Sequence, residues 1–339
     1  MGKVPEIKYA LVIMPKFYAY ADEMRAELEN RGYSVDLFYE EPSRISFLVM
    51  RRLSSWLKTG LFFSTFSKRL FSRVKKQGHK YSFFLVIRGN ILSSSFIKSV
   101  KRELLLPAAK NVYYTWDSFT YLIHKGKLAE LFQNRFSFDS RDVKNNDGWS
   151  LLPLYYTSSF DVDKIDSDIK KKYDISCIAG FNEQRYLALK KLVESNPGMK
   201  FFVKLYLDKK LYKYKRKTSD IFRNLDMDWI TFDLIPPSKV AEYNLMSKAI
   251  LDYTDHLQCG LSMRTVESIG LKMKLITNNP YVKEYDFWQN GNVFYWDEVN
   301  GENVLDKGWL ESDYHYDKTI KDSYSLCHWL DVLTGIAWN

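Results

Sequence analysis

The sequence predicts an α/β protein built on two doubly wound parallel sheets, and three observations carry that prediction. The chain has 339 residues, more than one ordinary hydrophobic core organises, so length points to two domains. It opens as strand, helix, strand: residues 8–14 (KYALVIM) end at Pro15, helical periodicity runs over 17–30 to a stop at Arg31-Gly32, and 33–38 is the second strand. A doubly wound sheet begins in this way. Residues 249–278 form a second such unit. There a short apolar strand (249–251) leaves through a polar loop containing Gly260, a helical pattern sets Met263, Val266, Ile269 and Gly270 on one face, and an apolar strand (273–277) follows. That order is one βαβ crossover.

The other elements follow in order. Residues 81–87 (YSFFLVI) are continuously apolar, the mark of a strand buried on both faces, and exit into Arg88-Gly89-Asn90. A helix is expected over 93–104, a strand over 110–115 exiting into Trp116-Asp117-Ser118, and a short strand over 136–138 exiting into Asp139-Ser140-Arg141-Asp142. Residues 151–155, with Pro153, close this half, and 156–172 is polar and without apolar period, a linker. The second half opens with a strand at 173–179, Gly180, and a helix over 186–194 with Arg185 at its start. Strands at 199–207 and 229–234 flank a basic loop, 209–217, and Pro236-Pro237-Ser238 starts a helix through Met246. After the central run come a last strand, 293–296, and helical apolar spacing over 324–338. The expected division is 1–155, a linker 156–172, 173–315, and a terminal helical segment 316–339 that either crosses back to the first domain or packs on its own.

An apolar fraction of 46% and an aromatic fraction of 16% supply packed cores rather than disorder. Cys177, Cys259 and Cys327 are far apart and lack metal-ligand spacing, which argues against zinc and for a reducing compartment. Residues 1–8 are polar and no apolar stretch reaches the roughly eighteen residues of a spanning helix, so a cytoplasmic protein is expected. The formal charge of +9 is uneven, with no acidic residue between Glu41 and Glu103. Arg51, Arg52, Lys68 and Arg69 there interleave with Trp56, Phe62, Phe66 and Leu70. Basic amphipathic helices over about 43–80, docked on an anionic membrane surface at about 1 kcal/mol per basic side chain, fit this pattern. A core-facing helix with a solvated basic face fits it too. Nucleic acid is disfavoured, because no nucleic-acid motif accompanies the charge.

Parallel sheets take ligands at the carboxyl ends of their strands, where loops meet helix N-termini. Arg88, Asp117, Asp139 and Asp142 lie at such exits in the first half; Asp255, His256, Gln258, Ser262, Arg264 and Glu267 do so in the second. Asp117 is the preferred catalytic carboxylate, since the end of a buried strand raises a carboxyl pKa toward working pH. Asp139 is the second candidate. Capping of a helix beginning near Ser118 is the competing role for Asp117. Asp161-Val162-Asp163 and Asp166-Ser167-Asp168 look like Asp-x-Asp metal motifs, but no buried strand precedes them to aim both carboxylates, so no metal is expected.

The spacing of Gly260, Arg264 and Glu267, ahead of a small-residue turn and the strand 274–277, resembles a family signature. It is similar to the donor site of GT-B glycosyltransferases, closest to the spore-coat-type "group 1" transferases of bacterial polysaccharide clusters, over roughly residues 173–300. The resemblance implies two facing Rossmann-like domains with a deep cleft, a nucleotide-sugar donor, a lipid-linked glycan acceptor such as lipopolysaccharide or capsule, and no tightly bound cofactor. It also implies that Glu267 grips the ribose hydroxyls. Gly180, Arg185 and Lys204 would support the diphosphate, with His256, Gly260, Ser262, Met263 and Arg264 completing the donor site. Many retaining members carry a further Glu eight positions before the second, where this chain has Cys259, so the stereochemical course stays open. A nucleotide-sugar epimerase or hydrolase and a non-catalytic scaffold are the alternatives. A structural reading also remains, in which Arg264 and Glu267 pair on a solvated helix face.

Overall fold

The computed structural model describes residues 7–16, 20–40, 62–123, 126–165, 169–255, 258–301 and 303–335. The chain divides into two compact units, Met1–Leu154 with Leu326–Asn339, and Tyr155–Ser325. Each carries a six-stranded sheet whose strands all pair in parallel.

In the first unit the elements run β1 (Lys8–Met14), α1 (Tyr20–Asn30), β2 (Tyr33–Tyr39), α2 (Phe63–Lys75), β3 (Tyr81–Ile87), α3 (Ser94–Glu103), β4 (Leu105–Thr115), β5 (Asn134–Ser137), α4 (Ser140–Lys144) and β6 (Ser150–Leu151). The sheet order is β2-β1-β3-β4-β5-β6. The central strands β1 and β3 are buried over their last five residues, which is why both read as unbroken apolar runs. β4 begins five residues before its expected start, because Leu105 already pairs with Tyr81 and the register shifts between Tyr81 and Phe83. Pro107 falls in that irregular stretch, where a missing N–H is tolerated. On α2, Phe63, Leu70 and Val74 are buried while Lys68, Arg69, Lys75 and Lys76 are exposed. Over residues 62–76, then, the apolar face serves the protein core and the basic face is solvated. Residues 41–61, the rest of the expected amphipathic region, lie outside the described residues.

The second unit runs β7 (Tyr173–Gly180), α5 (Glu183–Ser195), β8 (Phe201–Tyr206), α6 (Lys209–Lys215), α7 (Asp220–Arg223), β9 (Ile230–Thr231), α8 (Pro237–Leu245), β10 (Ser247–Asp252), α9 (Met263–Gly270), β11 (Lys274–Thr277), β12 (Val293–Tyr295), α10 (Lys307–Glu311) and α11 (Lys318–Ser323). Its order is β12-β11-β10-β7-β8-β9. The basic stretch after β8 is a helix rather than the expected loop. Asp208 starts it by accepting the Lys210 and Leu211 N–H groups at 3.0 and 2.8 Å. β9 is shorter than expected, ending where the Thr231 hydroxyl accepts the Asp233 N–H at 3.2 Å. Tyr156 and Phe160 are buried against α9, where a Cβ on Gly270 would come within 2.6 Å of the Tyr156 ring.

The last helix, α12 (Leu326–Thr334), belongs to the first unit. The wholly buried Arg31 side chain donates to Asp331 Oδ1 and to the Cys327 carbonyl, each at 2.7 Å. Trp329 packs edge-on against Tyr114, centroids 4.7 Å apart.

Both sheets have a topological switch point, between β1 and β3 in the first and between β7 and β10 in the second. The crevice outside the strand ends at that point is where open α/β sheets take ligands.

Candidate functional site

At the second unit's switch point β7 ends in Gly180 and β10 in Asp252. Asp252 is fully buried. Its Oδ2 accepts the hydroxyls of Ser262 (2.7 Å), Thr254 (3.1 Å) and Thr265 (3.2 Å), and its Oδ1 accepts Arg264 Nε at 2.9 Å. A buried carboxylate needs this many donors to offset its lost hydration. Ser262 also caps α9, accepting the Thr265 N–H at 3.3 Å, so the strand end, the loop and the helix start are one unit. Burial pulls the Arg264 guanidinium down, but Asp252, Cys177 and Glu267 together hold it above its ordinary pKa.

Arg185, in the first turn of α5, reaches the same place. It donates to the Gly180 carbonyl and, at 2.9 Å, to the Tyr253 carbonyl, while its buried Nε has no hydrogen-bond partner. Burial and the neighbouring Arg264 lower its pKa, a sign of two guanidiniums close together; an arginine remains charged all the same. Asn182 caps α5 by accepting the Arg185 N–H at 3.1 Å. A Cβ on Gly180 would meet nothing within 4 Å, so the strand end opens onto free space. The Asn278 side chain clamps the chain after β10, bonding the Thr254 N–H (2.7 Å) and carbonyl (3.0 Å) and Glu298 (3.0 Å).

The structure thus gathers Gly180, Arg185, Ser262 and Arg264 at one edge. Gly260 lends its carbonyl to Asn279 and Gln258, and Met263 opens α9. Glu267 is 7% exposed, so the pairing with Arg264 on a solvated face does not hold; Arg264 turns to Asp252 instead. Lys204 lies apart, donating to the Asp228 carbonyl at 2.6 Å. His256 lies outside the described residues. Asp252 was not singled out from sequence because a single Asp at a strand end looks like loop polarity; the Ser, Thr and Arg that follow within a turn of helix are the signal.

At the first unit's switch point Arg88 follows β3 and Asp117 follows β4. Arg88 Nε stands 2.8 Å from Asp117 Oδ2. Burial pushes the Asp117 carboxyl up, with Arg88 opposing. Asp117 caps nothing: the short helical turn after it begins at Ser118 without a side-chain cap, and the Thr115 hydroxyl accepts the Asp117 N–H at 3.2 Å. Asp139 is fully buried, capping α4 through the Arg141 N–H (2.9 Å) and accepting the Ser118 hydroxyl. Asp142, pushed up to about 6 by burial, accepts the Phe119 N–H at 2.9 Å. These two carboxylates shape the loop beside Asp117. Among the described residues no group of three His, Cys, Asp or Glu could hold a metal ion, and no helix is long and apolar enough to cross a membrane.

No protein-family model and no curated protein sequence matches the chain. Solved structures do. A glycosyltransferase from Rickettsia africae is 12% identical with a TM-score of 0.58, over 98% of this chain and 99% of that one. An alpha-glucosyltransferase in complex with UDP and a 13-mer DNA is 10% identical with a TM-score of 0.57, over 97% of each chain. A UDP-GlcNAc 2-epimerase from Neisseria meningitidis, bound to UDP-GlcNAc, is 10% identical with a TM-score of 0.55, over 97% of this chain and 99% of that one. The chain has the GT-B fold of these structures, two Rossmann-like units along almost its whole length.

Proposed function

We propose that the protein is a glycosyltransferase, moving a sugar from a nucleotide-sugar donor to a hydroxyl of a lipid-linked bacterial surface glycan such as lipopolysaccharide or capsule. The observation that carries the reading is the second unit's ligand edge. Arg185, Arg264 and the first turns of α5 and α9 meet there beside the open end of β7. Two cations and helix-end N–H groups suit a diphosphate leaving group. Glu267, one turn into α9, takes the ribose hydroxyls. The basic face of α2 suits an acceptor presented on an anionic membrane surface.

In the transfer, the bond from the anomeric carbon to the donor phosphate breaks and its electron pair leaves on the diphosphate. The acceptor oxygen forms the new bond and gives its proton to the Asp117 carboxylate, whose raised pKa makes it the stronger base. A reaction on the donor alone is the second reading, kept because the epimerase neighbour shares the fold.

The test combines UDP calorimetry with donor turnover, with and without a lipid-linked acceptor. UDP binds the wild type, and Glu267→Ala weakens binding about tenfold or more, as loss of a charged hydrogen bond does. Asp117→Asn lowers acceptor-dependent turnover by about 10²- to 10⁴-fold with UDP affinity retained. A wild type that ignores UDP overturns the proposal, and equal turnover without acceptor selects the second reading.

A further inference from the structure

In the second unit α6 and the two residues after it carry six cations, Lys209, Lys210, Lys213, Lys215, Arg216 and Lys217, and no carboxylate. Among the described residues none of the six is ion-paired. The acids that flank the run are engaged elsewhere: Asp208 caps the helix, and Asp220 pairs with Arg223. On the basic face of α2, by contrast, Lys75 meets Glu103 at 3.0 Å. Lys209 and Lys213 stand four apart on α6, a spacing at which like charges destabilise a helix. The fold gains nothing from this crowding, so the counter-charge has to come from outside the chain.

The inner side of α6 is anchored. The Tyr212 ring lies 5.4 Å from that of Phe232, and both pack on the unit's core. The Lys209 ammonium stands 5.9 Å over Phe232 and the Arg216 guanidinium 5.9 Å over Tyr212, around an open recess of about 810 Å³. The other side faces solvent. There Leu211 is 44% and Tyr214 68% exposed, in company with the exposed Lys210, Lys213 and Lys217. The helix starts three residues after β8, whose last residue, Tyr206, pairs with Gly180. It therefore leaves the same carboxyl edge of the sheet that carries Arg185.

We propose that the outer face of α6 docks on an anionic lipid bilayer. Lysine ammoniums meet the headgroup phosphates, Tyr214 lies at headgroup level, and Leu211 reaches the acyl boundary. Five of the six cations are lysines, flexible point charges suited to a diffuse anionic surface rather than to the planar, paired contacts that arginine makes. An exposed leucine gains from an acyl boundary and offers a nucleic-acid base no ring to stack on, so lipid fits this face better. Docked in this way, α6 brings the edge with Gly180 and Arg185 to the bilayer. The inference stands apart from the transferase reading, because docking needs neither donor nor acceptor.

The experiment is flotation of the full-length protein with phosphatidylcholine vesicles, with and without phosphatidylglycerol. Wild type binds the vesicles that contain phosphatidylglycerol, and added salt releases it. Lys210→Glu/Lys213→Glu/Lys217→Glu weakens binding about a hundredfold or more, each cation near an anionic surface being worth about fivefold. Lys190→Glu/Lys191→Glu/Lys307→Glu makes the same change of charge elsewhere on this unit and costs under about tenfold. Leu211→Ser/Tyr214→Ser weakens binding about tenfold and leaves its salt dependence in place. Circular-dichroism melts, unchanged from wild type, show each variant folded. Failure to bind, equal binding to phosphatidylcholine alone, or equal losses in the two triple variants overturns the inference. Tighter binding to single-stranded DNA at equal phosphate concentration also overturns it and assigns the face to nucleic acid. Vesicle binding without any sugar transfer sinks the transferase reading alone.

Discussion

At the second unit's switch point two guanidiniums, Arg185 and Arg264, gather beside the buried Asp252; at the first unit's, the Asp117 carboxyl pairs with Arg88, and the carboxyl of Glu40 lies buried at the end of β2. The two sheets reach these edges by different strand orders, yet each puts its charged cluster where the order reverses. Topology therefore decides where polar chemistry collects, because only there do two loops leave in opposite directions and open a crevice. Sequence decides its sign. A cationic edge suits a leaving diphosphate, and an edge with more carboxyls than cations suits holding and passing a proton.

The comparison breaks most visibly at the two charged clusters. Beyond the turnover loss expected of Asp117→Asn, Asp252→Asn leaves Arg264 without its counter-charge. The expected loss is about 3–5 kcal/mol of stability, read by urea denaturation; a loss under about 1 kcal/mol would mean the cluster relaxes into water. Next in size is a pH effect. The Glu40 carboxyl is raised from 4.5 to about 8 by burial, so its stabilising contribution is complete below 4.5 and fades as pH rises through 8. Between those limits wild type loses up to a few kcal/mol that Glu40→Gln retains, measured as melting temperature against pH. The second unit gives the opposite sign at Asp163, lowered to about 2 by Lys272 and then Lys321. Its exposed pairings lose their contribution only as pH falls from 3.8 through 2.

Smaller effects sharpen the picture. Arg185→Ala weakens UDP binding about 10- to 100-fold, the 1.5–3 kcal/mol or so of a charge-assisted hydrogen bond. Unchanged affinity would show that Arg185 only ties Gly180 to Tyr253. Gly180→Ala is the gentlest. Its Cβ meets nothing within 4 Å, so stability stays within about 0.5 kcal/mol, and a drop in UDP affinity reports a ligand occupying that space.

Much of the fold was legible because strands buried on both faces cannot hide. β1 and β3 read directly as KYALVIM and YSFFLVI, and the β10–α9–β11 unit showed its loop, its helix face and its returning strand. Misreadings came where a polar side chain made a local decision. Asp208 turned a basic run into α6, and the register shift at Tyr81 carried β4 through Pro107. At the candidate sites, Ser262 and Arg264 were singled out by the strand-exit rule and Arg185 through the family resemblance. Glu40 and Asp252 obey the same rule but were passed over, since an acidic residue after a strand looks like ordinary solvated polarity until its burial is known.

By itself, the sequence determined the order of strands and helices and the identity of the groups at strand ends, because hydrophobic period and turn chemistry are local properties. Only tertiary structure decided which of those groups share a cluster and which are denied water. Burial, ion pairing and the strained backbone at Arg88 come from strands far apart in the chain, and nothing local in the sequence encodes the burial that raises the pKa of a carboxyl such as Glu40.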